Sequence, residues 1–317
     1  MTGARARQLA EVVRALLVQS ARVYWTLLKV MLPALVVVKA ADMAGVTGWL
    51  ATLLAPSMHL VGLPDAIGIV WATAILTNLY TAIAVYASFA SAEPLTVAQV
   101  TVLATMMLVS HALPVEGAVA RASGVRWRST LLLRLGGALA LGALLNLLYA
   151  STGTLQQAAT LHWQAPPPEA ALLPWALAQL RMLAWVFAVI LALMTLLQML
   201  RAIGVERAMH AMLAPLLALI GIRREAANAT VIGITLGLSF GGGLLIRETR
   251  SGALTRRDIF LVMSLLGLCH SVIEDTLLVL LLGADLSGVL WARLAFALLV
   301  VGLIARWPAG RARAGSG

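Results

Sequence analysis

Three ionisable side chains lie within six residues of one another inside an apolar run: His270, Glu274 and Asp275, in the stretch CHSVIEDT from Cys269 to Thr276. An imidazole and two carboxylates at that density can relay protons, bind a cation or ligate a metal. A charged residue at the centre of an apolar span costs roughly 2.5–3.5 kcal/mol, so such groups need water, partners or a ligand. On a continuous helix His270 and Glu274, four apart, share one face, and Asp275 turns about 100° further onto the side of Ser271. The pattern favours a proton- or cation-coupling site over a structural hydrogen-bond network drawing on Arg134 or Arg293.

A related cluster occurs earlier, at His111 and Glu116. Val115 stands where the later cluster has Glu274, and Pro114 is expected to interrupt a helix that Ile273 allows to continue. Two histidines with two or three carboxylates could ligate a divalent metal. The spacing is not that of a strong metal motif, however, and the lone Cys269 offers no thiolate cluster, so a metal stays open.

A second constellation is Ser239, Phe240, Gly241, Gly242 and Gly243. Each glycine weakens a helix by about 1 kcal/mol relative to alanine. In a bilayer, such a break persists where the freed backbone groups face protein, water or a ligand. Ser239, Gly241, Gly242 and Gly243 are therefore candidate solute ligands, with close packing through small residues as the alternative. The equivalent stretch from Tyr80 to Ala84 lacks glycine, which predicts a one-sided break faced by Asn78 and Tyr80. Arg247 and Glu248 end the same span; orientation signals account for most charges there, and these two are candidates for an inner gate.

The two clusters correspond because the chain is duplicated. A constant offset of 159 residues superposes Gly45 on Gly204, Leu54 on Leu213, Pro56 on Pro215 and Gly62 on Gly221. It also superposes His111 on His270, Glu116 on Asp275, Gly124 on Gly283 and Arg134 on Arg293. Related halves of a membrane protein commonly enclose a solute site between them.

Composition places the chain in a membrane. It is 61% hydrophobic and 11% charged, with a mean hydropathy of +0.94, values outside the soluble globular range. The net charge of +10 does not imply nucleic acid, because the basic residues cluster in short gaps between apolar segments. Apolar segments fall near 24–44, 46–62, 66–89, 97–119 and 130–149, then near 174–200, 205–221, 226–246, 258–282 and 287–306. The expected organisation is a basic amphipathic N-terminal segment over 1–23, a first repeat over 24–150 and a linker over 151–173. A second repeat over 174–306 and a basic tail over 307–317 complete it.

The arginines predict which way the chain crosses. If every segment spans and the N-terminus is inside, Arg223 and Arg224 alone fall outside. All other loop arginines, from Arg5 through Arg121, Arg128, Arg201, Arg207, Arg250 and Arg257 to Arg313, fall inside. This predicts an all-α membrane protein of about ten transmembrane helices with both termini cytoplasmic. Five crossings per half turn the second half upside down, giving two inverted five-helix repeats with discontinuous helices near the centre. The short segments 46–62 and 205–221 could instead dip in and return.

The run GLSFGGGLLIRE from Gly237 to Glu248, followed by CHSVIEDT, resembles the nucleoside-recognition or Gate domain family of bacterial membrane proteins. That family is related to the membrane core of bacterial ferrous-iron permeases. The likeness is best over residues 226–296 and reaches the first half through the repeat. It implies a transport architecture in the cytoplasmic (inner) membrane more than it implies a substrate. No phosphate loop of the form GxxxxGK followed by Ser or Thr occurs, so any transport would be driven by a gradient or a partner.

The expected function is a permease that moves a small polar solute, nucleoside-like among the candidates, by alternating access. In it His111, Glu116, His270, Glu274 and Asp275 couple transport to a proton or cation. The alternatives are a divalent metal cation permease and a membrane scaffold that transports nothing. No enzyme motif and no cofactor are expected; the partners expected are the bilayer, the solute or ion, and a second copy in a homo-oligomer.

Overall fold

Residues 2–90, 94–160, 172–236 and 254–306 are described in the computed structural model. Their backbone closes its hydrogen bonds within helices, as hydrocarbon demands, and one isolated bridge joins Thr96 to Ala158. In chain order the helices are α1 (Thr2–Met43), α2 (Val46–Leu60), α3 (Gly68–Leu76), α4 (Leu79–Phe89), α5 (Val97–Ser110), α6 (Leu113–Ala122) and α7 (Trp127–Thr152). There follow α8 (Leu172–Ala202), α9 (Val205–Leu219), α10 (Arg224–Leu236), α11 (Arg256–Leu268), α12 (Glu274–Leu280) and α13 (Ser287–Arg306).

Five helices are long and apolar enough to cross a membrane: Val13–Ala41, Val97–Ala122, Trp127–Thr152, Leu172–Leu200 and Ser287–Arg306. The count reaches six if Thr52–Leu60 and Asp65–Leu76, bent by 102°, form one span. The described residues thus present fewer spans than the ten expected. One reason lies in the segment 66–89, which is two short helices separated at Thr77 and Asn78. Over residues 1–23 the basic segment is helical, and α1 runs without interruption from Thr2 into the first apolar segment.

Local structure repeats at the same 159-residue interval as the sequence. Left-handed backbone occurs at Gly45 and Gly204, Gly62 and Gly221, Ala112 and Ser271, and Gly124 and Gly283. Capping boxes start α5 (Thr96 with Gln99) and α11 (Thr255 with Asp258). A π-helical turn lies in the first part of the last helix of each half, at Leu132–Gly136 and at Ser287–Ala292, although these two are not in the same register. Ala112 and Ser271 are not glycines, so their left-handed geometry costs about 1–2 kcal/mol each. Its recurrence in both halves marks a built feature.

The helix breaks at these two residues define the centre. Helix α3 runs beside α5: Gln99 Nε2 donates to Gly62 O at 3.1 Å near one end, and Ala112 N to Ala74 O at 2.9 Å near the other. Trp71 Nε1 also donates to Ser110 Oγ at 2.9 Å. After the break at Asn78, α4 has to bring the chain back to the start of α5 through residues 90–96 alone. That short stretch spans at most about 25 Å. Helix α4 therefore turns back relative to α3, so a break, expected on the glycine side only, exists in the first half without glycine.

In the second half, Arg223 Nε donates to both carboxylate oxygens of Asp258, at 3.0 Å each. The two ends of the segment between them meet in the same way. Around the centre, α5 packs on α7 and on the π turn of α13, while α11 packs on α13, α5 and the π turn of α7.

Close approach at the centre requires Gly288, where an added Cβ would stand 2.4 Å from Thr101 Cγ2. Substituting Gly288→Val should destabilise the fold by about 1–3 kcal/mol through overpacking. A lowered thermal transition in detergent checks this, beside a Gly136→Ala control whose added Cβ meets nothing nearer than Leu132 Cδ1 at 3.9 Å.

Candidate functional site

Both central breaks expose a histidine and set an acid at the start of the next helix. Helix α5 ends at His111, whose ψ of 162° is extended, and left-handed Ala112 begins α6. Pro114 lies in the first turn of α6, where its missing N–H is harmless. In the second half α11 ends at Cys269 and α12 starts at Glu274. Ile273 does not continue a helix, contrary to expectation, so the break owes nothing to proline. His270 and Glu274 consequently do not share a helix face.

The breaks are held by hydrogen bonds that replace the missing helical ones. Val272 N donates to Ile234 O at 2.8 Å, much as Ala112 N reaches Ala74 O at 2.9 Å. Two arginines satisfy the carbonyls orphaned at the ends of α5 and α11. Arg134 donates from Nε to Val109 O at 2.8 Å and from Nη2 to His111 O at 2.9 Å. Arg293, its equivalent, donates from Nη2 to His270 O. Both arginines are 1% exposed. Snorkelling to the interface is thus excluded for them.

His111 and His270 meet across the two halves, with ring centroids 5.0 Å apart. Each ring is oriented by its own helix: His111 Nδ1 is 3.1 Å from Met107 O, and His270 Nδ1 is 2.7 Å from Leu266 O. A carbonyl oxygen only accepts, so each Nδ1 carries a proton and each Nε2 faces the seam. His270 Nε2 lies 3.0 Å from Glu116 Oε1, and His111 Nε2 lies 3.6 Å from the same oxygen and 3.8 Å from Asp275 Oδ2. Arg134 Nη1 pairs with the other Glu116 oxygen.

Of the expected residues, the structure brings together His111, Glu116, His270 and Asp275 at one buried point. Glu274 stands at the edge of this group, accepting from Tyr80 Oη at 3.2 Å across the halves. Asn78 caps α4, its Oδ1 accepting from Thr81 N at 2.9 Å. It therefore serves as a cap at the start of α4. Ser239, Gly241, Gly242, Gly243, Arg247 and Glu248 lie outside the described residues. Trp71, Ser110 and the break at Ser271 were not anticipated; the matching arginines inside two apolar spans were the available signal.

A 3.0 Å approach of His270 Nε2 to a carboxylate oxygen requires a shared proton or a cation between them. The arrangement can therefore hold a proton or a cation at a buried point. Truncating one partner of a buried ion pair costs about 3–5 kcal/mol. Arg134→Met should lower stability on that scale, and adding Glu116→Gln should recover part of the loss. Thermal or denaturant unfolding of the single and double variants in detergent measures the coupling.

No known protein-family profile matches the chain, and no solved structure matches it. Over 284 residues it is 30% identical to the "Uncharacterized membrane protein YvoD" of Bacillus subtilis, covering 89% of this chain and 90% of that protein. Relatedness along almost the whole length of both chains agrees with the apolar helices described above: this is a membrane protein of the same family as YvoD.

Proposed function

We propose that the protein is a permease of the cytoplasmic (inner) membrane that moves a small polar solute by alternating access, coupled to a proton or cation. One observation carries this reading: a buried His111–His270–Glu116–Asp275 cluster, built where broken helices from two related halves meet. Ionisable groups at such a depth mark ion or substrate pathways by default. Discontinuous helices flanking a central site are a recurring feature of alternating-access carriers. The likeness of GLSFGGGLLIRE and CHSVIEDT to the Gate family supports the same class, with nucleoside-like solutes among those to test. Ser239, Gly241, Gly242 and Gly243, with Asn78 and Tyr80, are the proposed solute contacts, and Arg247 and Glu248 the proposed gate.

The topology proposed for this permease has six crossings. In each half the first long helix, the broken pair and the last helix cross; α2 or α9 stays at the surface, and in the first half the α3–α4 hairpin enters and returns. Three is odd, so the halves are inverted. Two contacts support inversion: Gly283 approaches Thr160 near the linker, where Leu155 O accepts from Ala98 N. Arg257 at the opposite end of α11 donates to Ala305 O at 2.6 Å. This arrangement gathers Arg223 and Arg224 with Arg121, Arg128, Arg201, Arg207, Arg256, Arg257 and Arg306 on one side, the cytoplasmic one. It leaves no loop arginine outside and thereby improves on ten crossings.

In a Cys269→Ser background, Leu60→Cys should react with a membrane-impermeant maleimide in intact cells, and Arg121→Cys only after permeabilisation. Labelling of Leu60→Cys solely from inside would restore the ten-crossing order. For transport, a thermal-shift screen over nucleosides, small organic acids and metal ions would select solutes for proteoliposome uptake. Uptake should rise under an inward proton or cation gradient, and His270→Ala and Asp275→Asn should abolish that response. An unaltered response in both variants removes the coupling role.

A further inference from the structure

Four electron-pair donors converge at the seam: Nε2 of His111, Nε2 of His270, Oε1 of Glu116 and Oδ2 of Asp275. The last of these is sealed from solvent and has no hydrogen-bond donor among the described residues. One proton shared by His270 and Glu116 satisfies two of the four. It leaves His111 Nε2 and Asp275 Oδ2 as two acceptors facing each other at 3.8 Å. A metal ion satisfies the whole set at once.

We propose that this seam is a binding site for a divalent first-row transition metal, held by His111, His270 and Asp275 with Glu116 as fourth ligand. The ligand atoms of His111, His270 and Asp275 lie within 4.8 Å of one another. Glu116 Oε1 completes the set at 3.0 and 3.6 Å from the imidazole nitrogens. Ligands about 2.1 Å from a tetrahedral ion stand about 3.4 Å apart; the contacts at 3.0, 3.6 and 3.8 Å already bracket that spacing, and the wider pairs, within 4.8 Å, close by at most about 1.4 Å. Each imidazole already has the outer support of a metal ligand, an Nδ1–H bonded to a carbonyl. Arg134 steadies the distal oxygen of Glu116 in the same manner.

Two imidazoles with carboxylates suit zinc, ferrous iron, cobalt or nickel better than magnesium or calcium. Glu116, Glu274 and Asp275 against Arg134 and Arg293 leave an excess of negative charge for a cation to offset. The inference rests on the permease reading only in making the metal the species carried or the coupling ion.

The test uses full-length protein in detergent, stripped with a chelator and titrated with Co²⁺, then Zn²⁺. One equivalent of Co²⁺ should bind with the intense visible bands of a four-coordinate ion, and Zn²⁺ should displace it. His111→Ala, His270→Ala and Asp275→Asn should each weaken binding by more than the roughly 10–100-fold that loss of an outer-shell partner costs. His59→Ala, at an exposed histidine paired with Asp65, should leave it intact. Size exclusion and thermal transitions identify variants that fail to fold; Asp275→Asn, close in shape to the native residue, keeps the test decisive. Folded wild-type protein that takes up no stoichiometric Co²⁺, or binding that survives all three substitutions, overturns the site. Gradient-driven solute uptake by protein that binds no Co²⁺ overturns the metal while sparing the permease. Co²⁺ bound by protein that transports nothing supports the site and sinks the permease.

Discussion

A helix broken inside a bilayer must find other partners for the backbone groups it frees, and everything at the centre of this protein follows from that demand. The ends of α5 and α11 present carbonyls with no amide to receive. Arg134, in the π turn of α7, and Arg293, just after that of α13, supply the donors. A guanidinium is well matched to the task because its several N–H groups serve two carbonyls and a carboxylate at once. A cation beside a helix C-terminus also gains from the dipole.

Once two guanidinium charges are buried, carboxylates have to accompany them. Glu116 and Asp275 do so from the first turns of α6 and α12, where the helix dipole favours negative charge. The histidines are then held by their own helices between the acids. The break, the arginine, the acid and the histidine thus form one interdependent unit, present once in each half. Its two copies differ chiefly in that Arg134 pairs directly with Glu116, whereas Asp275 keeps an oxygen without a hydrogen-bond donor among the described residues. That asymmetry gives the seam an unspent ligand.

Much of the site was readable in the sequence because ionisable residues in apolar runs are conspicuous and the duplication pairs them. His111, Glu116, His270 and Asp275 were all singled out, and they meet. Glu274 was assigned to the face of His270 on the assumption of a continuous helix; the left-handed turn at Ser271 removes that periodicity. Counting spans meets a related limit. Hydropathy registers residues 66–89 as one apolar stretch, yet it cannot distinguish a helix that crosses from two that enter and return, since both bury the same side chains. Asn78 is legible as a cap only once the helix is known to start there.

The sequence alone determined that the chain lives in a membrane, that it is duplicated, and that it buries histidines and carboxylates in matching places, because composition and offset are properties of the chain itself. Tertiary structure decided where the helices break and which acid faces which imidazole. Those outcomes depend on long-range partners such as Gln99 with Gly62 and Arg223 with Asp258. Their separation along the chain leaves no local pattern from which to read them.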